Sequence, residues 1–218
     1  MKKYIITTLE NKPSRGDNVQ RLDSQLSGYM DQVNIVIAPD WRIFKHTELT
    51  ENQWKHQSLT LAYYNICMRQ LYWGSATFVI CEDDLHIFNA KDFSQHTMDF
   101  SDTYHKTGAD FGYLALTDHN IESAQVEEFN GLWNQVKANY WETPATIWTQ
   151  KMARIFVDHI SKKLESGLWL GHIDHELLQI HLVHKLLFLC PKTQFCAGLS
   201  SYKNPPVEFD RSGSISKI

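Results

Sequence analysis

A short apolar segment followed directly by three acidic residues constrains this chain most. Residues 78–81 read Phe-Val-Ile-Cys, which is typical of a buried strand, and Glu82, Asp83 and Asp84 follow without interruption. Side chains alternate between the faces of a strand, so we expect Glu82 and Asp84 on one face and Asp83 on the other. Neighbouring carboxylates repel each other unless a cation is near. The pattern favours Mg²⁺ or Mn²⁺ on Asp84 and Glu82, completed by water and phosphate; the alternative is a solvated acidic loop.

Length and composition predict a globular protein of ordinary size. With 218 residues and 43% apolar residues, we expect one domain over residues 1–203 and a flexible tail over 204–218 that is rich in Pro, Ser, Gly and charge. The net charge of −4 provides no overall basic field for nucleic acid. Without a signal peptide or an 18-residue apolar run, we expect a soluble cytoplasmic protein, free or peripherally bound to a membrane. The four cysteines lack C-x-x-C spacing and are expected to be reduced core residues.

Hydrophobic periodicity predicts strands that alternate with helices. Strands are expected at residues 3–9, 33–38, 77–81, 111–116 and 186–189, and helices at 17–26, 51–73, 150–164 and 174–183. Residues 11–17, with Pro13 and Gly16, are expected to form a loop. Alternating elements predict an α/β fold with a mostly parallel sheet, whose ligands gather at the carboxyl ends of the strands. Thr7, Thr8 and the acidic triplet would lie there.

Five segments, in this order and spacing, resemble glycosyltransferase family 25, the lipopolysaccharide and collagen-type glycosyltransferases with a GT-A fold. They are Ile5-Ile6-Thr7-Thr8-Leu9 with Pro13 and Arg15, Gly74 followed by Glu82-Asp83-Asp84, residues 145–153 with Leu164, Ile173-Asp174 with Leu177-Leu178, and Pro191 with Gln194 and Ser200-Ser201. The resemblance spans residues 4–201. The chain departs from the family pattern at two places. The family's G-C-x-x-S-H corresponds to residues 58–63, which lack its His, and Met152 replaces the Gly that precedes Ala153. These departures concern the identity of the donor and acceptor more than the fold.

The resemblance implies a GT-A-like enzyme that moves a sugar from a nucleotide-sugar, most readily a UDP-sugar, to an acceptor hydroxyl. Such a reaction expels a diphosphate, whose charge Mn²⁺ or Mg²⁺ neutralises. Asp84 is expected to bind the metal, and Glu82 to bind the metal or the ribose of the donor. The other residues expected at the donor are Thr7, Thr8, Arg15 and Asp83.

Asp174 is the candidate catalytic base for an inverting transfer, because deprotonation of the acceptor calls for a positioned carboxylate. Trp169, Gly171 and His172 precede it and could receive an acceptor sugar. The alternative role for Asp174 is an N-cap, in which case Glu176 is the substitute base.

Other residues and function classes stay open at this stage. His172 with His175, and His181 with His184, have helical spacing but lack further ligands for zinc. Most of the tryptophans are expected in the core. A saccharide acceptor, as in lipopolysaccharide biosynthesis, leads; a modified DNA base is the nucleic-acid alternative. A metal-dependent phosphoesterase or nucleotidyltransferase would use the same acids with others such as Asp118, and a non-catalytic sugar-binding relative would keep only the fold.

Overall fold

The computed structural model describes residues 1–7, 13–28, 32–45, 48–74, 76–115 and 124–198. The strands are β1 (Lys2–Thr7), β2 (Gln32–Ile37), β3 (Thr77–Glu82), β4 (Leu85–Ile87), β5 (Phe111–Tyr113), β6 (Glu127–Glu128), β7 (Trp133–Val136), β8 (Ala145–Thr149), β9 (Phe188–Pro191) and β10 (Cys196–Gly198). The helices are α1 (Pro13–Ser27), α2 (Glu51–Trp73), α3 (Ala90–Thr107), α4 (Gln150–Glu165) and α5 (Ile173–His184), and a 3₁₀ turn spans Trp41–Phe44.

Within the described ranges, eight strands form one mixed sheet in the order β2-β1-β3-β8-β5-β9-β7-β6. Strand β1 lies parallel to β2 and β3, and β5 lies parallel to β9. Strands β8 and β7 are antiparallel to their neighbours, so the other six run in one direction. The mostly parallel α/β sheet is confirmed. Strands β4 and β10 form a separate antiparallel pair.

Helices cover both faces of the sheet and bury two apolar cores. Helices α2, α4 and α5 pack on one face, where Tyr63, Phe156 and Leu177 are fully buried. Helices α1 and α3 pack on the other face, with Leu22 and Phe100 at its centre. Two covered faces are typical of parallel sheets, and the carboxyl ends of β1 and β3 therefore remain the open edge for a ligand.

Helix α1 begins earlier than the sequence predicted. The loop expected over residues 11–17 is wrong from Pro13 onward, and Asp17, a candidate N-cap for the helix predicted over 17–26, lies inside α1. Proline fits the first helical position, where its missing N–H has no partner to lose, and Gly16 is tolerated inside the helix. This earlier start puts Arg15 on a helix directed at the acidic triplet.

Helix α2 and strand β3 agree closely with the sequence prediction. Thr50 caps α2 in a reciprocal pair with Gln53, and the helix ends before Gly74. Strand β3 extends one residue past the prediction, to Glu82. Strand β2 forms where expected. The apolar run over residues 33–38 predicts a buried strand, and this is wrong, because β2 is an edge strand whose Ile35 and Ile37 are exposed.

Several elements were missed by the sequence analysis. Helix α3 is capped by Asn89 at its start and by left-handed Gly108 at its end, but its sequence is mostly polar. Strand β8 occupies the centre of the sheet within the segment that resembles the family's helix entry. Strand β5 ends at Tyr113, before the predicted residue 116.

All four cysteines are free and buried, as predicted. Thr8, Asp118 and the tail over residues 204–218 lie outside the described ranges. Among the described helices, none is long and apolar enough to cross a bilayer.

Candidate active site

A cleft at the carboxyl ends of β1 and β3 contains the acidic triplet. Its lining residues are Ile6, Arg15, Trp41, Lys55, His56, Ser58, Leu59, Glu82, Asp83 and Asp84; we call it the first cavity. Three carboxylates and two permanent cations thus share one cavity. Asp83 lines it together with Glu82 and Asp84, although strict alternation predicted that Asp83 would point away. Strand β3 ends at Glu82, so the alternation does not extend through the triplet.

Glu82 is held by hydroxyl groups at the end of β3. Its Oε1 accepts hydrogen bonds from the Tyr63 hydroxyl at 3.0 Å and from Thr143 Oγ1 at 3.1 Å. Burial raises the pKa of Glu82 well above its usual value, and the charges of Asp84 and Asp174 raise it further. Like charges disfavour the ionised form of Glu82, and a cation bound beside the triplet would favour it.

Asp83 ties the triplet to β1 and α1. Its Oδ2 accepts a 2.7 Å hydrogen bond from the Thr7 hydroxyl, and its Oδ1 pairs with the Arg15 guanidinium. Burial raises the pKa of Asp83, while Arg15 and Thr7 oppose that shift. Three predicted donor residues, Thr7, Arg15 and Asp83, are therefore joined in one network.

Asp84 lies in the turn between β3 and β4 and lines the first cavity. It is close enough to α1 that its charge raises the pKa of Arg21, although burial, the larger effect, leaves that pKa below its usual value. Arg21 also donates to the Leu85 carbonyl at 3.0 Å. The Arg21 side chain therefore stabilises the turn that carries Asp84.

The carboxylates in the first cavity could supply some, but not all, of the ligands that a hard divalent cation requires. Within the described ranges, no three His, Cys, Asp or Glu residues are arranged as a complete metal site. Mg²⁺ and Mn²⁺ accept carboxylate oxygens and fill other positions with water and phosphate, so a cation at this site would have Asp84 and Glu82 as its candidate protein ligands. The histidine spacing that left a zinc site open is not supported by the structure, because the His181 ring stacks on Phe188 with 4.4 Å between ring centroids.

Asp174 is buried near the start of α5. Its Oδ2 accepts the Glu142 N–H at 3.0 Å, and Oδ1 has no hydrogen-bond partner among the described residues. The N-cap of α5 is His172, whose Nδ1 lies 3.4 Å from the Asp174 N–H. The capping alternative for Asp174 is therefore wrong. Its charge raises the pKa of Glu82, which indicates that the two carboxyls belong to one electrostatic environment.

Glu176, the substitute base, points away from the triplet. Its carboxylate contacts His159 Nε2 at 2.6 Å and Lys163 Nζ at 2.7 Å, and it accepts the Gly171 N–H at 2.6 Å. Burial alone would raise the pKa of Glu176, but these donors hold it below its usual value. With its oxygens occupied, Glu176 anchors the loop before α5 and is not available as a base.

A second cavity of about 580 Å³ adjoins the first. Its lining residues are Leu49, Gln53, His56, Trp169, Leu170, Gly171, His172 and His175. No Asp, Glu, Lys or Arg is among these described lining residues, and 47% of the Trp169 surface is exposed. The volume lies within the ~300–1,000 Å³ range of small-molecule sites. A cavity without carboxylates, lysines or arginines in its described lining thus lies beside one that has all three.

His56 lines both cavities and was not singled out by sequence analysis. Its ring meets that of His172 edge-on, with 4.5 Å between centroids. Burial lowers the pKa of His56, and the charge of His172 lowers it further, which favours the neutral ring. It lies on α2, two residues before Ser58, which lines the first cavity with it.

The tryptophans divide between core and cleft. Trp133 and Trp148 are fully buried, but Trp41, Trp54 and Trp141 are only partly buried, so the expectation that most tryptophans lie in the core is wrong. Trp41 stacks on Trp54 with 6.0 Å between ring centroids, and Lys55 lies 5.3 Å from the Trp41 centroid. Trp41 and Trp169 therefore present aromatic rings at the first and second cavity.

Comparison with known proteins identifies the fold. No protein-family model matches the chain, and no curated protein matches it. The CTP:phosphocholine cytidylyltransferase of Streptococcus pneumoniae matches with a TM-score of 0.53 and 10% identity, over 90% of this chain and 92% of that chain. A glycosyltransferase involved in glycosylation of the major capsid of PBCV-1 matches with a TM-score of 0.51 and 6% identity, over 87% and 82%. The chain therefore has the GT-A-like α/β fold of nucleotidyltransferases and glycosyltransferases.

Proposed function

We propose that this protein transfers a sugar from a nucleotide-sugar donor to an acceptor hydroxyl with the help of a divalent cation. The supporting observation is the first cavity, where the acidic triplet lies beside Arg15 and Lys55 at the carboxyl edge of a GT-A-like sheet. Cations and carboxylates together suit a bound metal–diphosphate. The motifs that resemble glycosyltransferase family 25 favour sugar transfer over other reactions of this fold.

Asp84 and Glu82 would hold Mn²⁺ or Mg²⁺, which neutralises the charge that builds on a leaving diphosphate. Arg15 and Lys55 line the same cavity and supply further positive charge to the phosphates. Trp41 offers its ring to the nucleoside, with a UDP-sugar as the first donor to test. Asp83 keeps Arg15 in position, and Thr7 keeps Asp83 in position.

The acceptor half of the reaction would use the second cavity and Asp174. We propose a saccharide acceptor, since a sugar ring stacks on an exposed Trp and hydrogen-bonds to imidazoles and Gln53. A DNA acceptor would require Lys or Arg for its phosphates, and the described lining of this cavity has neither. Asp174 would supply the carboxylate on which deprotonation of the acceptor depends, with inversion at the sugar carbon.

Nucleotidyl transfer is the second candidate, because the same acids and cations can hold a nucleoside triphosphate. Calorimetry with UDP-sugars, CTP and free nucleotides, with and without Mn²⁺, separates the classes. Metal-dependent binding of a nucleotide-sugar supports the proposal. Binding of free nucleotides alone favours a phosphoesterase or nucleotidyltransferase, and no binding favours a non-catalytic relative. Release of nucleoside diphosphate instead of pyrophosphate then identifies sugar transfer.

A further inference from the structure

His172 and Asp174 form a close pair at the start of α5. The distance from His172 Nδ1 to Asp174 Oδ2 is 3.1 Å. The same oxygen accepts the Glu142 N–H at 3.0 Å, so the carboxylate is fixed from two sides. A buried carboxylate that contacts one ring nitrogen of a histidine fixes the orientation and tautomer of the imidazole.

The pair is arranged so that only the histidine reaches a cavity. The His172 side chain is 30% exposed and lines the second cavity, whereas the Asp174 side chain is 8% exposed and lines neither cavity. A general base must lie within hydrogen-bond reach of the proton it takes. The histidine meets this requirement more directly than the carboxylate behind it.

Nδ1 of His172 makes two contacts with Asp174. As the helix cap it accepts the Asp174 N–H at 3.4 Å, and it lies 3.1 Å from Asp174 Oδ2, a contact that is an ion pair when the ring is protonated. A neutral ring nitrogen either carries a proton or accepts one, so the cap and a proton directed at the carboxylate exclude each other. The contact with the carboxylate oxygen is the shorter one, and its negative charge attracts a proton on Nδ1 and repels a lone pair there. The Nδ1–H tautomer is therefore favoured, which leaves the lone pair on Nε2.

We infer that His172 Nε2 takes the proton of the acceptor hydroxyl and that Asp174 acts behind it as a positioning residue. The inference rests on the proposed function. The acceptor O–H bond breaks and its proton moves to Nε2. The oxygen electron pair forms the new bond to the sugar carbon, and the bond from that carbon to the diphosphate oxygen breaks with its electrons leaving on the diphosphate. Asp174 stabilises the imidazolium that results.

The groups around His172 are compatible with this role. From α2, the neutral His56 ring meets it edge-on at 4.5 Å. From α5, His175 lines the same cavity, and its ring lies 5.3 Å from that of Trp141. Asp174 is thus the charged group in direct contact with the His172 ring among the described residues. Its negative charge is the one that an imidazolium at this site requires.

The pairing is tested without substrate by long-range ¹H–¹⁵N NMR of the histidine rings, with assignment by His172→Asn. The wild type is expected to show the Nδ1–H tautomer at His172, and Asp174→Ala is expected to lose it. An Nε2–H tautomer in the wild type would overturn the inference. This readout does not depend on donor, metal or activity.

The catalytic role is tested by release of UDP from the UDP-sugar that binds in calorimetry, with water as the acceptor. The variant His172→Asn keeps a good cap residue at the start of α5. It is expected to slow turnover roughly 10²-fold or more and to leave the donor affinity unchanged. The control is His184→Asn, which changes an exposed histidine on the same helix and should match the wild type. Near-normal turnover in His172→Asn would overturn the inference and return Asp174 to the role of direct base. If the wild-type protein binds no nucleotide-sugar, the proposed function is contradicted instead. The NMR measurement of the His172 tautomer then still shows whether His172 and Asp174 are paired.

Discussion

The Thr7 hydroxyl donates a 2.7 Å hydrogen bond to Asp83 Oδ2 and joins the end of β1 to the acidic triplet after β3. The other oxygen of that carboxylate is taken by Arg15 from α1. The Asp83 carboxylate is buried, while its partner Arg15 is partly exposed. The middle acid thus connects three elements, while Glu82 and Asp84 flank it in the first cavity.

Asp83→Ala is expected to destabilise the fold by about 2–3 kcal/mol, since it removes a buried charge-assisted network and leaves Arg15 without its partner. The partial exposure of Arg15 limits the loss. Urea unfolding measures it, with exposed Asp102→Ala as the control. A cost below about 0.5 kcal/mol, the range of ordinary surface substitutions, would contradict this structural role.

Asp84→Ala is expected to abolish turnover and metal-dependent donor binding with little loss of stability. Removing one of three neighbouring carboxylates relieves repulsion, which offsets the lost contacts. Calorimetry with Mn²⁺ and a UDP-sugar measures binding, and urea unfolding measures stability, again beside Asp102→Ala. More than about a tenth of wild-type activity, which corresponds to a loss under ~1.4 kcal/mol in transition-state stabilisation, would exclude Asp84 as the metal ligand.

Local sequence signals predicted the elements that carry the acids. The Thr50 and Gln53 cap, the apolar face of α2 and the run into Glu82 specify helix, strand and triplet without tertiary information. Helix α3 was not predicted, because the sequence between its caps is mostly polar. Few apolar residues there, such as Phe93 and Phe100, recur at helical spacing.

The site required tertiary information that no local pattern contains. His56 and His172 come from distant segments and meet only because α2 and α5 pack on one face of the sheet. Arg15 was predicted in a loop, and its contact with Asp83 depends on the helix that replaced that loop. The sequence could propose Asp174 as a base but could not indicate that it is buried behind His172.

Glu176→Gln is expected to destabilise the fold by about 3 kcal/mol, because Lys163 then loses its carboxylate in a largely buried setting. The loop with Gly171 should also loosen, which would weaken ligand binding in the second cavity more than donor binding. Urea unfolding and hydrogen exchange at residues 168–172 measure the two effects. Glu165→Gln, on the exposed end of α4, is the matched control, and Lys163→Met added to Glu176→Gln should recover part of the stability. Failure of the double variant to recover any would argue against the ion pair.

The transfer is expected to invert the configuration at the sugar carbon. A base on the acceptor side, opposite the leaving diphosphate, permits in-line displacement and requires no covalent sugar–enzyme intermediate. Proton NMR of the first product formed from an α-linked UDP-sugar should show a β-linkage. A retained α-linkage would contradict the mechanism and leave the fold assignment intact.

His86 makes stability depend on pH. It is buried on β4 at 3% exposure, and burial, with a smaller effect of Arg21, lowers its pKa from 6.5 to about 4. The folded state therefore binds fewer protons than the unfolded state between these values, so stability should rise with pH from about 4 to 6.5 and be lost as the pH falls. The contribution is at most about 3 kcal/mol. Urea unfolding at several pH values in EDTA should show a flatter profile for His86→Gln than for the wild type.

The raised pKa of Glu82 acts in the opposite direction in both proteins and cancels in their difference. His184→Gln, which changes an exposed histidine, should follow the wild type, and parallel curves for His86→Gln and the wild type would show that His86 is not the titrating group.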